Sequence, residues 1–366
     1  MRKVAVTPVR VSGAALLAIA GAMLISSVVA VVDGGGAGFD LLVSALITAS
    51  IGCALFYGST VSPTADSALA FASVAWSWVA VSVAGALPFL LTGVIPWVRF
   101  DDALFESISG FTCTGSTILS DFTSVPQGLL FFRSMIQWFG GMGLIVLAVA
   151  VLPALGIGGL ELIASESPGP TADRLSLKVR DTARRLWLLY GLLTGLISVA
   201  LLFAGMSIFD AVTHAFTTVA TGGYSTYGDS IAHFDSFLVE AVLIAGMLYC
   251  GASFSTHWHA ATAGLGAYRR VSEIRWYLWM IFSAFVLLVL VNAGELDWVE
   301  NLRESVFYAV SLGTSTGFGT SDYIAWMPSA QVALLVLMLV GGMSGSTAGG
   351  MKVLRLQVVF RYAFRE

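Results

Sequence analysis

The sequence predicts an all-α polytopic membrane protein with about eight membrane-spanning helices plus three re-entrant half-helices. Three observations carry that prediction. Of 366 residues, 57% are hydrophobic and 11% charged, against about 25% charged in a soluble domain. Eight segments approach the roughly 20 apolar residues needed to cross a hydrocarbon core of about 30 Å. Between them, a short helix ending in Thr-Gly recurs three times.

The eight segments are 11–32, 41–58, 67–95, 129–152, 186–206, 237–262, 277–294 and 329–350. The first follows Met1-Arg2-Lys3 as a signal peptide would, but it is too long for an h-region and more spans follow, so it reads as a retained helix. With a cytoplasmic N-terminus, the inner segments hold Arg2, Lys3 and Arg10, then Arg174, Lys178, Arg180, Arg184 and Arg185. They also hold Arg269, Arg270 and Arg275, and finally Lys352, Arg355, Arg361 and Arg365. Only Arg99, Arg133 and Arg303 fall outside, so the positive-inside rule supports eight spans with both ends cytoplasmic. The outer loops are acidic, which raises the local cation concentration at a mouth. Cys53, Cys113 and Cys250 are too few and too scattered for a disulfide framework.

The three copies are Ala103–Thr117, Asp210–Thr226 and Glu304–Thr320. Each carries an acidic residue (Glu106, Asp210, Glu304) in or beside a short apolar helix, then a Thr-Gly pair. On that pairing the shared glycines are Gly115, Gly222 and Gly317, 107 and 95 residues apart. An apolar span precedes and follows every copy. The chain therefore reads as repeated helix–pore-loop–helix units around a central pore. The divisions are an extra N-terminal helix pair at 1–60, repeat 1 at 67–152, repeat 2 at 174–262 and repeat 3 at 275–366.

A helix too short to span must turn back within the membrane, and non-helical backbone survives there only in protein or beside a watery cavity. The three Thr-Gly segments are thus expected to converge on one axis. A dehydrated cation needs a cage of oxygens, which backbone carbonyls supply. Glycine permits the backbone angles that aim them inward. Thr112, Thr114, Thr221, Thr314 and Thr316 add hydroxyls. Uncharged hard oxygens suit an alkali ion better than a transition metal.

These residues resemble the Trk/Ktr/HKT superfamily of potassium transporters, most closely its bacterial Trk-type membrane subunit. The likeness extends to Arg133-Ser134 with Gln137-Trp138-Phe139-Gly140-Gly141-Met142-Gly143, to Glu166-Ser167-Pro168-Gly169-Pro170, and to the run from Gly341 to Lys352. The resemblance implies potassium uptake across the bacterial cytoplasmic (inner) membrane. It implies a potassium filter of Thr112, Cys113, Thr114 and Gly115, Val219, Ala220, Thr221 and Gly222, and Thr314, Ser315, Thr316 and Gly317. It makes Gly341, Gly342, Ser344, Gly345, Ser346, Thr347, Ala348, Gly349, Gly350 and Lys352 an intramembrane gating loop, a stretch too glycine-rich to hold a stiff helix. Potassium is then substrate, with no cofactor on the chain. The implied partners are the lipid bilayer, a second copy in a homodimer and a cytoplasmic nucleotide-binding ring of the TrkA type; no nucleic acid is expected.

The family has four repeats, and only 14 residues follow Lys352. The expectation is therefore a C-terminally truncated chain, with a non-conducting fragment or membrane scaffold as the rival reading. Other chemistry has little support. His257-Trp258-His259 is a weak metal signal, because positions two apart on a helix face different ways. No paired carboxylates or Ser/His constellation marks an intramembrane enzyme, and Glu240 reads as isolated near an interface. Arg133 reads equally as an ion-positioning charge or as a side chain snorkelling to the interface. The basic stretch Asp173–Arg185 reads as lying on the cytoplasmic surface near anionic headgroups.

Overall fold

A computed structural model describes residues 8–59, 67–154, 179–295 and 297–363. The Glu166–Pro170 motif and most of the basic stretch before Arg185 lie outside the described residues. The chain divides into two compact units, residues 1–163 with 174–184, and residues 164–173 with 185–366.

In the first unit, α1 (Pro8–Val32) and α2 (Gly38–Gly58) form a hairpin. Small residues set its spacing: a Cβ on Gly13 would lie 2.6 Å from the Phe56 amide nitrogen and 2.8 Å from the Gly52 carbonyl oxygen. Without a hydrophobic drive between helices in lipid, such close backbone approach supplies the packing. α3 (Ser67–Leu91), α4 (Phe100–Phe111) and α5 (Gln127–Ala154) follow. The short α4 lies against α3, where the Ser107 hydroxyl donates to the Ser82 carbonyl at 2.7 Å and Gly85 leaves room for Ser107 and Phe111.

The helix α6 (Val179–Phe203) leads into the second unit. There α7 (Ile208–Val219) starts at a Ser207 cap, whose Oγ accepts from the Asp210 amide and donates to the Asp210 carboxylate at 2.7 Å. The serine hydroxyl thus satisfies one of the helix's first free amides, as an N-cap serine does. α8 (Phe237–Cys250) and α9 (Phe254–Ala263) meet at a 92° bend. α10 (Gly266–Arg270), α11 (Ser272–Val291), α12 (Trp298–Gly313), α13 (Pro328–Val340) and α14 (Val353–Ala363) complete the described chain.

Nearly all described structure is helical, and apolar side chains such as Leu196, Leu290 and Leu335 face outward. An all-helical chain with lipid-compatible outer faces satisfies its backbone hydrogen bonds within each segment. Among the described residues five helices are long and apolar enough to cross a membrane, six if the bent pair is one span. Two expected spans are broken, and a third starts earlier. Segment 237–262 breaks at Gly251–Ser253, where α8 stops and the chain turns. Segment 329–350 is helical only to Val340, because Gly341 takes φ +69° and ends α13. The seventh helix begins at Ser272 rather than 277, which brings Glu273 and Arg275 into its first turns.

Candidate functional site: three repeated turns and a glycine loop

Each short helix ends in the same backbone turn. α4 is capped by Thr112, α7 by Ala220 and α12 by Thr314. The next residue is left-handed in all three: Cys113 at φ 54°, Thr221 at 50° and Ser315 at 54°. Two residues later a glycine is left-handed: Gly115 at 77°, Gly223 at 76° and Gly317 at 87°. The hydrogen bonds repeat as well. Thr114 N donates to Ser109 O, Gly222 N to Thr217 O and Thr316 N to Ser311 O, at 3.0, 2.9 and 2.8 Å.

This register corrects the second copy. The four-residue turn is Ala220–Gly223, not Val219–Gly222, and the equivalent of Gly115 and Gly317 is Gly223. Val219 is the last residue of α7. Thr221 matches Cys113 and Ser315, so the second Thr-Gly pair in the sequence sits one residue out of phase. The acidic residues shift too: Asp210 and Glu304 occupy one position, whose first-copy equivalent is Asp102 rather than Glu106.

Side chains reinforce the turns unequally. Thr112 Oγ1 lies 2.7 Å from Thr114 Oγ1 and donates to Ile108 O; Thr314 Oγ1 lies 2.8 Å from Thr316 Oγ1 and donates to Val310 O. The second copy has Ala220 and Gly222 at these positions and lacks both hydroxyls. A non-glycine residue in the left-handed region costs about 1–2 kcal/mol. Three such residues at one repeated position mark stored strain of the kind concentrated at functional sites.

The segment leaving each turn is tied back by the residue six before the cap, a position that sequence comparison missed because it is Glu106, His214 and Tyr308 in turn. Thr117 Oγ1 and the Ile118 amide donate to Glu106 at 3.0 and 3.1 Å. His214 Nε2 lies 3.0 Å from Ser225 Oγ, and the Tyr308 hydroxyl donates to Ser321 O while accepting from the Ser321 amide. Asp210 accepts from Thr226 and Tyr227, and Glu304 from Thr320 and Ser321.

Two charges are placed differently from expectation. Arg133 does not snorkel to an interface: it is buried on α5, with Nε 2.6 Å from Glu106 Oε1. Glu240 is not isolated: its carboxylate is buried and takes two bonds from Arg303, at 2.7 and 2.8 Å. His257 is a packing residue between Tyr249, on which it stacks, and the Tyr268 hydroxyl at 2.8 Å. Close packing also seats the first turn, since a Cβ on Gly140 of α5 would collide with the Phe111 carbonyl. Gly140→Ala is expected to cost about 1–3 kcal/mol, as overpacking does. A detergent melt followed by size-exclusion chromatography would register the loss.

Within the second unit the two turns lie side by side. A Cβ on Gly223 would strike the Thr316 carbonyl, and the Ile231 amide donates to Gly319 O at 2.9 Å. The glycine run forms a closed loop against them. Its ends are joined where Met351 N and Lys352 N donate to Leu339 O and Val340 O, at 3.0 and 2.9 Å. Its interior reaches both turns: Thr347 Oγ1 donates to Val219 O at 2.9 Å, and Gly349 N to Ser315 Oγ at 2.6 Å. Gly342 leaves room for Ala348, Ser346 Oγ bonds Met343 O, and the Lys352 ammonium bonds Ala348 O. Gly341, Gly345, Gly350 and Lys352 all have positive φ, and Ser344 bonds a carboxylate of α11.

The chain matches the family described as TrkH: Cation transport protein over residues 43–366. It is 37% identical over 368 residues to the Trk system potassium uptake protein TrkH of Escherichia coli (strain K12), covering 98% of this chain and 75% of that protein. The TrkH of Halomonas elongata is 39% identical over 301 residues, covering 81% of this chain and 62% of its own length. The crystal structure of the potassium transporter TrkH from Vibrio parahaemolyticus superposes with a TM-score of 0.85 at 32% identity, covering 98% of this chain and 74% of that one. This chain therefore belongs to the TrkH family, whose members are membrane transport proteins for cations and not enzymes.

Proposed function

We propose that this chain takes part in potassium uptake across the bacterial cytoplasmic membrane, with Thr112–Gly115, Ala220–Gly223 and Thr314–Gly317 each supplying one segment of a carbonyl-lined filter. The repeated pair of left-handed residues carries this reading. A residue of opposite hand at alternate positions turns successive peptide planes so that their carbonyls share one side, as a dehydrated alkali ion requires. No fixed charge sits in the three turns, so an ion is held without the trap of a carboxylate. Residues 341–352 act as the gate, a compact loop with joined ends that bonds to the second and third turns. The distribution of Lys and Arg supports a cytoplasmic position for both chain ends. A homodimer and a nucleotide-binding ring of the TrkA type complete the assembly in this proposal, by likeness to the Trk system.

Rubidium uptake in cells lacking their own potassium uptake tests the reading. Expression of the chain should restore uptake, and Gly115→Ser should reduce the preference for rubidium over sodium. Selectivity indifferent to Gly115→Ser would refute the filter assignment, and uptake at the background level would favour the non-conducting fragment instead.

A further inference from the structure

Glu273 is a buried carboxylate that neither the turns nor the capping of the short helices uses. It is the second residue of α11 and only 7% exposed. Its Oε1 accepts from the Ser344 amide at 2.7 Å, and the Leu354 amide and the Lys352 charge act on the same carboxylate. Ser344 lies near the start of the glycine loop, and Leu354 lies just past its end. One carboxylate therefore bonds the start of the loop and feels the charge at its end. Beside it Gln357 Nε2 donates to Ser272 Oγ at 3.1 Å, tying α14 to the same first turn of α11.

Burying a carboxylate is costly unless charge and hydrogen bonds compensate it. Here the Ser344 amide, the Lys352 charge and the N-terminal end of α11 offset part of that cost. The loop's remaining ties are neutral: Thr347 to Val219, Gly349 to Ser315, Met343 to Gly251 and Gly345 to Phe254. Charge-assisted bonds are roughly twice as strong as neutral ones, so the strongest anchor of the loop lies on α11. Immediately before α11 comes the short connection Gly264–Val271, with its exposed Arg269 and Arg270.

We propose that Glu273 is a positioning residue, a latch that holds the glycine loop against the second and third turns and links it to the 264–271 connection. Displacement of that connection withdraws the carboxylate from Ser344 and from the Lys352 charge and loosens the loop against the turns. The consequence for transport rests on the loop being the gate, as proposed above; the latch itself does not.

Hydrogen exchange on the full chain in detergent micelles separates the two. In Glu273→Ala the amides of peptides spanning 342–354 should exchange about tenfold faster than in the wild type, while those of α7 keep their protection. Glu273→Gln keeps one acceptor oxygen and loses the charge, so an acceleration of about threefold is expected. This isosteric variant decides the matter if the alanine variant does not fold. Unchanged exchange in the loop overturns the latch, whatever happens to ion flux. In liposomes where the wild type passes rubidium, a freed loop should raise maximal flux several-fold without moving the half-saturating concentration. A loosened loop with unaltered flux would uphold the latch and count against the loop as the gate.

Discussion

Arg133→Met is expected to destabilise the protein by about 3–5 kcal/mol, because it leaves the Glu106 carboxylate buried without its cation. The ion pair is almost wholly enclosed, with side-chain exposures of 2% for Arg133 and 0% for Glu106. Glu106 also receives Thr117 and the Ile118 amide, so the loss extends to the segment leaving the first turn. Removing both charges together, as in Arg133→Met with Glu106→Gln, should recover much of the loss, since an isosteric replacement of a buried pair is often nearly neutral. Thermal or denaturant unfolding in one detergent would measure both. A single variant as stable as the wild type would contradict the burial seen here. An additive double variant would mean that the two side chains act independently.

Gly223→Ala should reduce rubidium uptake by at least about tenfold, given the left-handed penalty of about 1–2 kcal/mol and a Cβ driven into the Thr316 carbonyl. Gly222→Ala should be milder, because Gly222 is not among the left-handed glycines. Initial uptake rates, normalised to protein in the membrane, would compare the two. The reverse order of effects would restore the pairing of Gly222 with Gly115 and Gly317. Gly317→Ala, at φ +87° but with open space where its Cβ would stand, should fall between the two.

That contrast shows where sequence reading reached its limit. The threefold unit was legible because composition and the short interrupted helices repeat at the scale of whole segments. The register within the second unit was not. Thr-Gly is a good local marker only where both residues keep the same role, and in the second copy Ala220 and Gly222 replace the two threonines. Backbone angles and the amide-to-carbonyl pattern assign the register instead, and neither is written in residue identity. The ties behind the turns were hidden for a related reason. Glu106, His214 and Tyr308 share a position and a task, holding the outgoing segment, while sharing no chemistry that an alignment of the copies would reveal.

By itself the sequence determined that this is an all-helical membrane protein of repeated helix–short helix–helix units with a glycine-rich break after the third. Length, hydropathy and small-residue patterns express the bilayer's demands directly, because every spanning segment must satisfy its own backbone. Only the tertiary structure decided the partners of the charges. Arg133 with Glu106, Arg303 with Glu240 and Glu273 with Ser344 are separated by 27, 63 and 71 residues. Burying a charge is tolerable only when its counterpart arrives from elsewhere in the chain, and which counterpart arrives is settled by packing rather than by local pattern.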